Sequence, residues 1–192
     1  KDSTTIRPEF ENNVWEAVWK LRKPTIALID GYALGGGSEL ALSCDIRIAT
    51  KRSMFGTPEI NLGLIPGGGG TQRLTWLVGY GKAMEMVMGG EMIDGEEAYR
   101  IGLVNHIVEP NDLMKKGMEI ANNLSSKSPL TIQVAKQAVR AALDNPITDG
   151  ILLEHNMFVD LFETLLPNFK HLETNKNLDQ KKIYVYPKSY GF

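Results

Sequence analysis

The chain of 192 residues is 43% hydrophobic and 23% charged, with a formal net charge of -2; that balance suits one sizeable core, alone or with a small appendage, and gives no support to nucleic-acid binding, which needs a concentrated basic face. The single cysteine, Cys44, cannot form an internal disulfide, and inside an apolar run it reads as a small buried hydrophobe. No apolar run reaches the roughly 18 residues of a membrane span, and KDSTTIRPEF has no apolar signal core, so the expectation is a soluble intracellular protein.

Residues 9–21 place Phe10, Val14, Val18 and Leu21 at helical spacing, with Trp15 and Trp19 beside them. Pro24 ends that pattern. Residues 25–29 form a short β-prone run fit for a buried strand. Asp30-Gly31 turns the chain into a helix predicted over 36–43. DIRIAT (45–50) alternates as a strand does, and its neighbours Lys51-Arg52, like Lys181-Lys182, read as solvated surface. A loop with Pro58 and Glu59 leads to GLIPGGGG (63–70), followed by helices over 71–78 and 82–88. Asp94 is a good N-cap for a short helix to residue 99, with Gly102 beyond its end. LVNHIV (103–108) reads as another strand.

From about residue 112 the pattern is wholly helical, over 112–124, 129–143 and 148–166. Pro129 fits a first helical turn, and Pro146 separates the last two helices. The chain therefore divides near Ser126–Ser128. Residues 1–127 form an α/β layer structure and residues 128–192 a helical appendage.

Two glycine runs stand out. Neither Gly35-Gly36-Gly37 nor GGGG at 67–70 fits a dinucleotide fingerprint, and no Gly-Lys-Ser/Thr follows to make a phosphate-binding loop. The first run opens a helix directly after a strand. The first N–H groups of a helix lack intrahelical partners and point out at its positive end. With no side chains there, a ligand carbonyl can reach them, which is the form of an oxyanion hole. Close packing of helix on strand explains the glycines equally well. Glu39 lies about one turn further in, where a glutamate also simply complements the helix dipole. Glu59, after Pro58, reads alone as a solvated loop residue. The two glutamates stand 20 positions apart, enough for a helix and a strand with its return, so both can serve one pocket. Two carboxylates in different environments can divide acid and base work.

KPTIALIDGYALGGGSELALSCDIRIAT (23–50), FGTPEINLGLIPGGGGTQRL (55–74) and GGEMIDGEEAYRIGLVNHIV (89–108) together resemble the signature of the crotonase (enoyl-CoA hydratase/isomerase) superfamily. The likeness is nearly continuous from Lys23 to about Val108 and weaker to about Glu163. It implies a crotonase-like spiral of ββα turns with a C-terminal helical oligomerisation region that packs trimers, often paired as hexamers. It implies acyl-CoA thioesters as substrates, with no further cofactor, metal, nucleic-acid or membrane partner. The location it implies is the cytoplasm, or the mitochondrial matrix in a eukaryote.

By the same resemblance the Gly36 N–H receives the thioester oxygen. The family's second donor lies in an earlier Ala/Gly-rich segment, and the expectation is that this chain lacks that segment and the first strands. Glu39 and Glu59 match the two hydratase glutamates, Glu39 as the base on water and Glu59 as the acid toward Cα. Gly67 is a candidate for orienting Glu59. The implied activity is hydration of trans-2-enoyl-CoA, a lyase reaction of fatty-acid β-oxidation. Enoyl-CoA isomerase, short-chain 3-hydroxyacyl-CoA dehydratase and a non-catalytic binding protein on the same scaffold are the alternatives. The family pattern stops at about Thr164, where an atypical tail begins. His106, His155 and His171 have no metal-ligand spacing.

Overall fold

Short apolar segments separated by glycine turns sort into two small sheets. Strands β1 (Ile26–Ile29), β3 (Ile46–Thr50) and β6 (His106–Val108) form a parallel sheet in the order β1-β3-β6. Strands β2 (Tyr32–Leu34), β4 (Met54–Gly56) and β5 (Ile93–Asp94) form the other, with β2 and β4 parallel and β5 antiparallel. The computed structural model describes residues 8, 10 and 13–173, with side chains as far as Thr164. It divides into two units, Lys1–Leu124 and Ser125–Phe192. The tail beyond, with Lys181-Lys182, and the side chain of His171 lie outside the described residues.

In the first unit, successive strands go to different sheets before a helix follows. β1 and β2 precede α2 (Gly36–Ser43), and β3 and β4 precede α3 (Gly70–Val78) and α4 (Tyr80–Gly89). This repeat is the expected ββα turn. Ile29, Ala33, Leu42, Phe55, Leu74 and Met86 form much of the core between these layers. Each large apolar side chain there contributes about 1.5–3 kcal/mol by burial.

The first described helix, α1 (Val14–Trp19), is shorter than the helix predicted over 9–21. Asn13 is extended, and its side chain accepts the Glu16 N–H at 2.8 Å, so it caps a new helix rather than continuing an old one. α5 (Gly95–Arg100) begins at the predicted Asp94 cap, whose carboxylate accepts the Glu97 N–H. β2, β4 and β5 went unpredicted, because segments of two or three residues are too short to show a period.

β3 departs from its alternating pattern. Arg47, Ile48, Ala49 and Thr50 are all buried, so β3 is covered on both faces as well as paired on both edges. The Arg47 guanidinium donates to the carbonyls of Leu103 at 2.7 Å and Cys44 at 2.6 Å. Cys44 is half-buried at the end of α2, not in the core, with its thiol 3.7 Å from the Leu40 carbonyl. α6 (Leu113–Ser125) closes the first unit.

The described residues of the second unit form a helical pair. α7 (Pro129–Asp144) starts at Ser128, whose hydroxyl accepts the Thr131 N–H, with Pro129 in the first turn. α8 (Ile147–Glu173) runs beyond the predicted end at residue 166 and packs on α7. It exposes Leu152, Phe158, Val159 and Phe162.

Candidate active site

The strand-to-helix turn at Gly35 builds the first half of the site. Gly35 takes φ 53° and ψ -126°, and its N–H donates to the Gly56 carbonyl at 3.0 Å. That bond ties the start of α2 to β4. Among the described residues no side chain caps α2, and Gly36 and Gly37 are exposed. The free N–H groups of the first turn thus face outward at the positive end of the helix.

Glu39 lies in the same first turn and is only 2% exposed. Its Oε1 accepts the N–H of Gly68 at 2.6 Å and of Gly70 at 2.9 Å. The second glycine run therefore does orient a carboxylate. The donors are Gly68 and Gly70 rather than Gly67, and the carboxylate is Glu39 rather than Glu59. The cause is Gly69, whose φ of 98° reverses the chain so that its two neighbours aim their N–H groups the same way. Side chains would spoil this approach: a Cβ at Gly70 would stand 3.0 Å from Glu39 Oε1 and 2.9 Å from Pro66 Cβ.

Glu59 comes from the 3-10 turn Pro58–Leu62 that follows β4. Its carbonyl accepts the Leu64 N–H at 3.1 Å, which closes the turn. Its carboxylate reaches back to the α2 entrance, so that a Cβ on Gly35 would lie 3.0 Å from its Oε1. Oε2 is shielded from solvent and has no hydrogen-bond partner among the described residues. A solvated loop residue would not look like this. A buried polar atom left unpaired costs about 1–3 kcal/mol, more if charged, and is tolerated where a bound molecule completes it.

The two carboxyls also interact. Burial pushes the Glu39 carboxyl above its ordinary range; the Gly70 and Gly68 N–H groups oppose this, the Glu59 charge adds to it and the Arg73 charge lowers it. Two neighbouring carboxyls in different environments, one of them with an open oxygen, can bind a water molecule and move protons in both directions.

Sequence reasoning gave no role to three neighbours. The Trp15 indole N–H donates to the Gly36 carbonyl at 2.9 Å. Arg73 donates to the Gly68 carbonyl at 2.7 Å and pairs with Glu16 at 2.7 Å. The available signals were an arginine three residues after a glycine run and a tryptophan flanking a helical stripe. Among the described residues no group of three or more His, Cys, Asp or Glu is placed to hold a metal.

The sequence profile of the enoyl-CoA hydratase/isomerase family matches residues 1–174. The chain belongs to that family. The short-chain-enoyl-CoA hydratase of Clostridium acetobutylicum is 45% identical over 153 residues, 80% of this chain and 59% of that protein. The probable mitochondrial enoyl-CoA hydratase of Dictyostelium discoideum is 43% identical over 166 residues, 85% of this chain and 60% of that protein. The chain thus spans about three fifths of the length of these curated relatives.

Among solved structures, an enoyl-CoA hydratase from Bacillus anthracis superposes with a TM-score of 0.81 at 33% identity, covering 95% of this chain and 72% of that one. The enoyl-CoA hydratase subunit I of Geobacillus kaustophilus gives 0.82 at 38% identity, with the same coverage. The fold of this family member is the crotonase fold.

Proposed function

We propose that the protein is an enoyl-CoA hydratase, adding water reversibly to the double bond of a trans-2-enoyl-CoA. One observation carries this reading. Glu39, pinned by two backbone N–H groups, and Glu59, with an unpartnered oxygen, meet beside the bare N-terminus of α2.

The thioester oxygen accepts the Gly36 N–H, which together with the helix dipole favours negative charge there. Glu39 takes a proton from water as its oxygen bonds to Cβ. The π electrons move onto the thioester oxygen as an enolate. Glu59 then gives a proton to Cα as the enolate collapses to the thioester. The sum is one water added; the proton gained by Glu39 returns to Glu59 before the next turnover, and the roles exchange in the reverse direction. No electron acceptor or further cofactor enters this balance.

Such a step belongs to fatty-acid β-oxidation, in the cytoplasm or mitochondrial matrix. No helix among the described residues is long and apolar enough to cross a membrane. The exposed Leu152, Phe158, Val159 and Phe162 of α8 support a trimer or hexamer, since apolar patches of that kind mark interfaces. A monomer by analytical ultracentrifugation would refute that assembly.

The activity is tested by loss of the conjugated thioester's ultraviolet absorbance. Glu39→Gln and Glu59→Gln should each lower hydration about 100-fold or more, the low end for a positioned acid or base. A Glu39→Gln protein as fast as its parent would exclude the assignment.

A further inference from the structure

Arg73 takes no part in the chemistry above, yet it is 6% exposed and fully engaged. On one side its Nη2 pairs with Glu16 of α1 at 2.7 Å, and the Trp19 ring lies 4.8 Å from its guanidinium carbon. On the other, its Nη1 donates to the Gly68 carbonyl at 2.7 Å. The guanidinium also fills the space beside Gly69, where any Cβ would overlap it. Arg73 therefore anchors one edge of the turn whose other edge donates to Glu39 at 2.6 and 2.9 Å.

We propose that Arg73 is a positioning residue for Glu39: held by Glu16 and Trp19, it fixes the turn at 68–70 and so sets where the Glu39 carboxylate sits and how tightly it keeps its proton. The consequence for turnover rests on the hydratase reading; the consequence for Glu39 does not. The groups facing Glu39 are Glu59 from the 3-10 turn, the Gly68 and Gly70 N–H groups, and Arg73 from α3, with Glu16 of α1 behind Arg73. Glu59 favours the protonated form, whereas Arg73 and both N–H groups favour the ionised form. Removing Arg73 takes away a positive charge and loosens both donors, so Glu39 keeps its proton to higher pH. Removing Glu16 unmasks the Arg73 charge and does the reverse. An arginine that only stabilised the fold would change melting and turnover without moving this titration.

The test follows the Glu39 carboxyl by carbon-13 NMR in glutamate-labelled protein, with its resonance assigned by loss in Glu39→Gln. Turnover of a four-carbon trans-2-enoyl-CoA is measured alongside. Arg73→Met should raise the Glu39 midpoint by about one pH unit and lower kcat about tenfold or more. Arg73→Lys, with the charge but not the fork, should restore the midpoint and only part of kcat. Glu16→Gln should shift the midpoint downward. Midpoints unmoved in the Arg73 and Glu16 variants overturn the inference. If Arg73→Met does not fold, Glu16→Gln decides: a downward shift supports the inference, and no shift or an upward one overturns it. A parent that shows these shifts but hydrates no enoyl-CoA refutes the hydratase reading and leaves the positioning role standing.

Discussion

Replacing Gly36 by proline deletes one N–H from the site while leaving α2 able to form. Proline is favoured in the first turn of a helix, where the N–H has no intrahelical partner. Gly35 before it holds φ 53° and ψ -126°. This is the mirror image of the extended conformation that proline requires of its predecessor, and it is open to an achiral residue. The new side chain crowds Trp15, since a Cβ at position 36 would stand 3.2 Å from Trp15 Cζ2. Gly36→Ala creates the same crowding and keeps the N–H, so it is the matched reference. Loss of one oxyanion donor lowers turnover about 100- to 1000-fold, or about 2.7–4 kcal/mol of transition-state stabilisation. The kcat of Gly36→Pro should fall below that of Gly36→Ala by this factor, read from the ultraviolet absorbance of a four-carbon trans-2-enoyl-CoA. The two variants should melt at closely similar temperatures. A proline variant that turns over as fast as the alanine variant refutes the oxyanion role of Gly36.

Two further outcomes follow from burial. The folded protein holds the Glu39 proton more tightly than the unfolded chain, whose ordinary value is 4.5. The parent should therefore lose stability relative to Glu39→Gln as pH rises from that value through the folded pKa; denaturant unfolding across the acid-to-neutral range measures the difference, and a difference of opposite slope contradicts the burial argument. Arg47→Met should destabilise the fold by about 2–6 kcal/mol, because the Leu103 and Cys44 carbonyls each lose a buried donor at about 1–3 kcal/mol; urea midpoints check this, and a neutral effect would mean that water replaces the guanidinium.

Much of the first unit was legible where local chemistry decides. α2 occupies its predicted span, 36–43, because a glycine turn opens it and Cys44 leaves it in an extended conformation. Asp94 caps the helix it was expected to cap, since capping is a contact over three residues, and Pro129 stands in the first turn of its helix as expected. The three strands of the smaller sheet were not legible, because their pairing depends on distant partners such as Tyr32 with Met54. The same limit applied at the site. The residue types at 39 and 59 suggested a carboxylate pair, but the bonds from Gly68 and Gly70 to Glu39 span 29 and 31 residues. Nothing local tells which carboxylate a glycine run will hold. The burial of Arg47 was not legible for a related reason: four carbonyls enclose its guanidinium, and that of Leu103 lies 56 residues away in the chain.

In the proposed reaction Glu39 and Glu59 together deliver water to a double bond conjugated with a thioester. The direct measurement is hydration of a trans-2-enoyl-CoA in oxygen-18 water, with the product analysed by mass spectrometry. The expected product is a 3-hydroxyacyl-CoA carrying one labelled oxygen on the β-carbon, formed about 100-fold or more slowly when either glutamate is replaced by glutamine. Recovery of unlabelled thioester with its double bond shifted, or equal labelling rates in the parent and both variants, would contradict it.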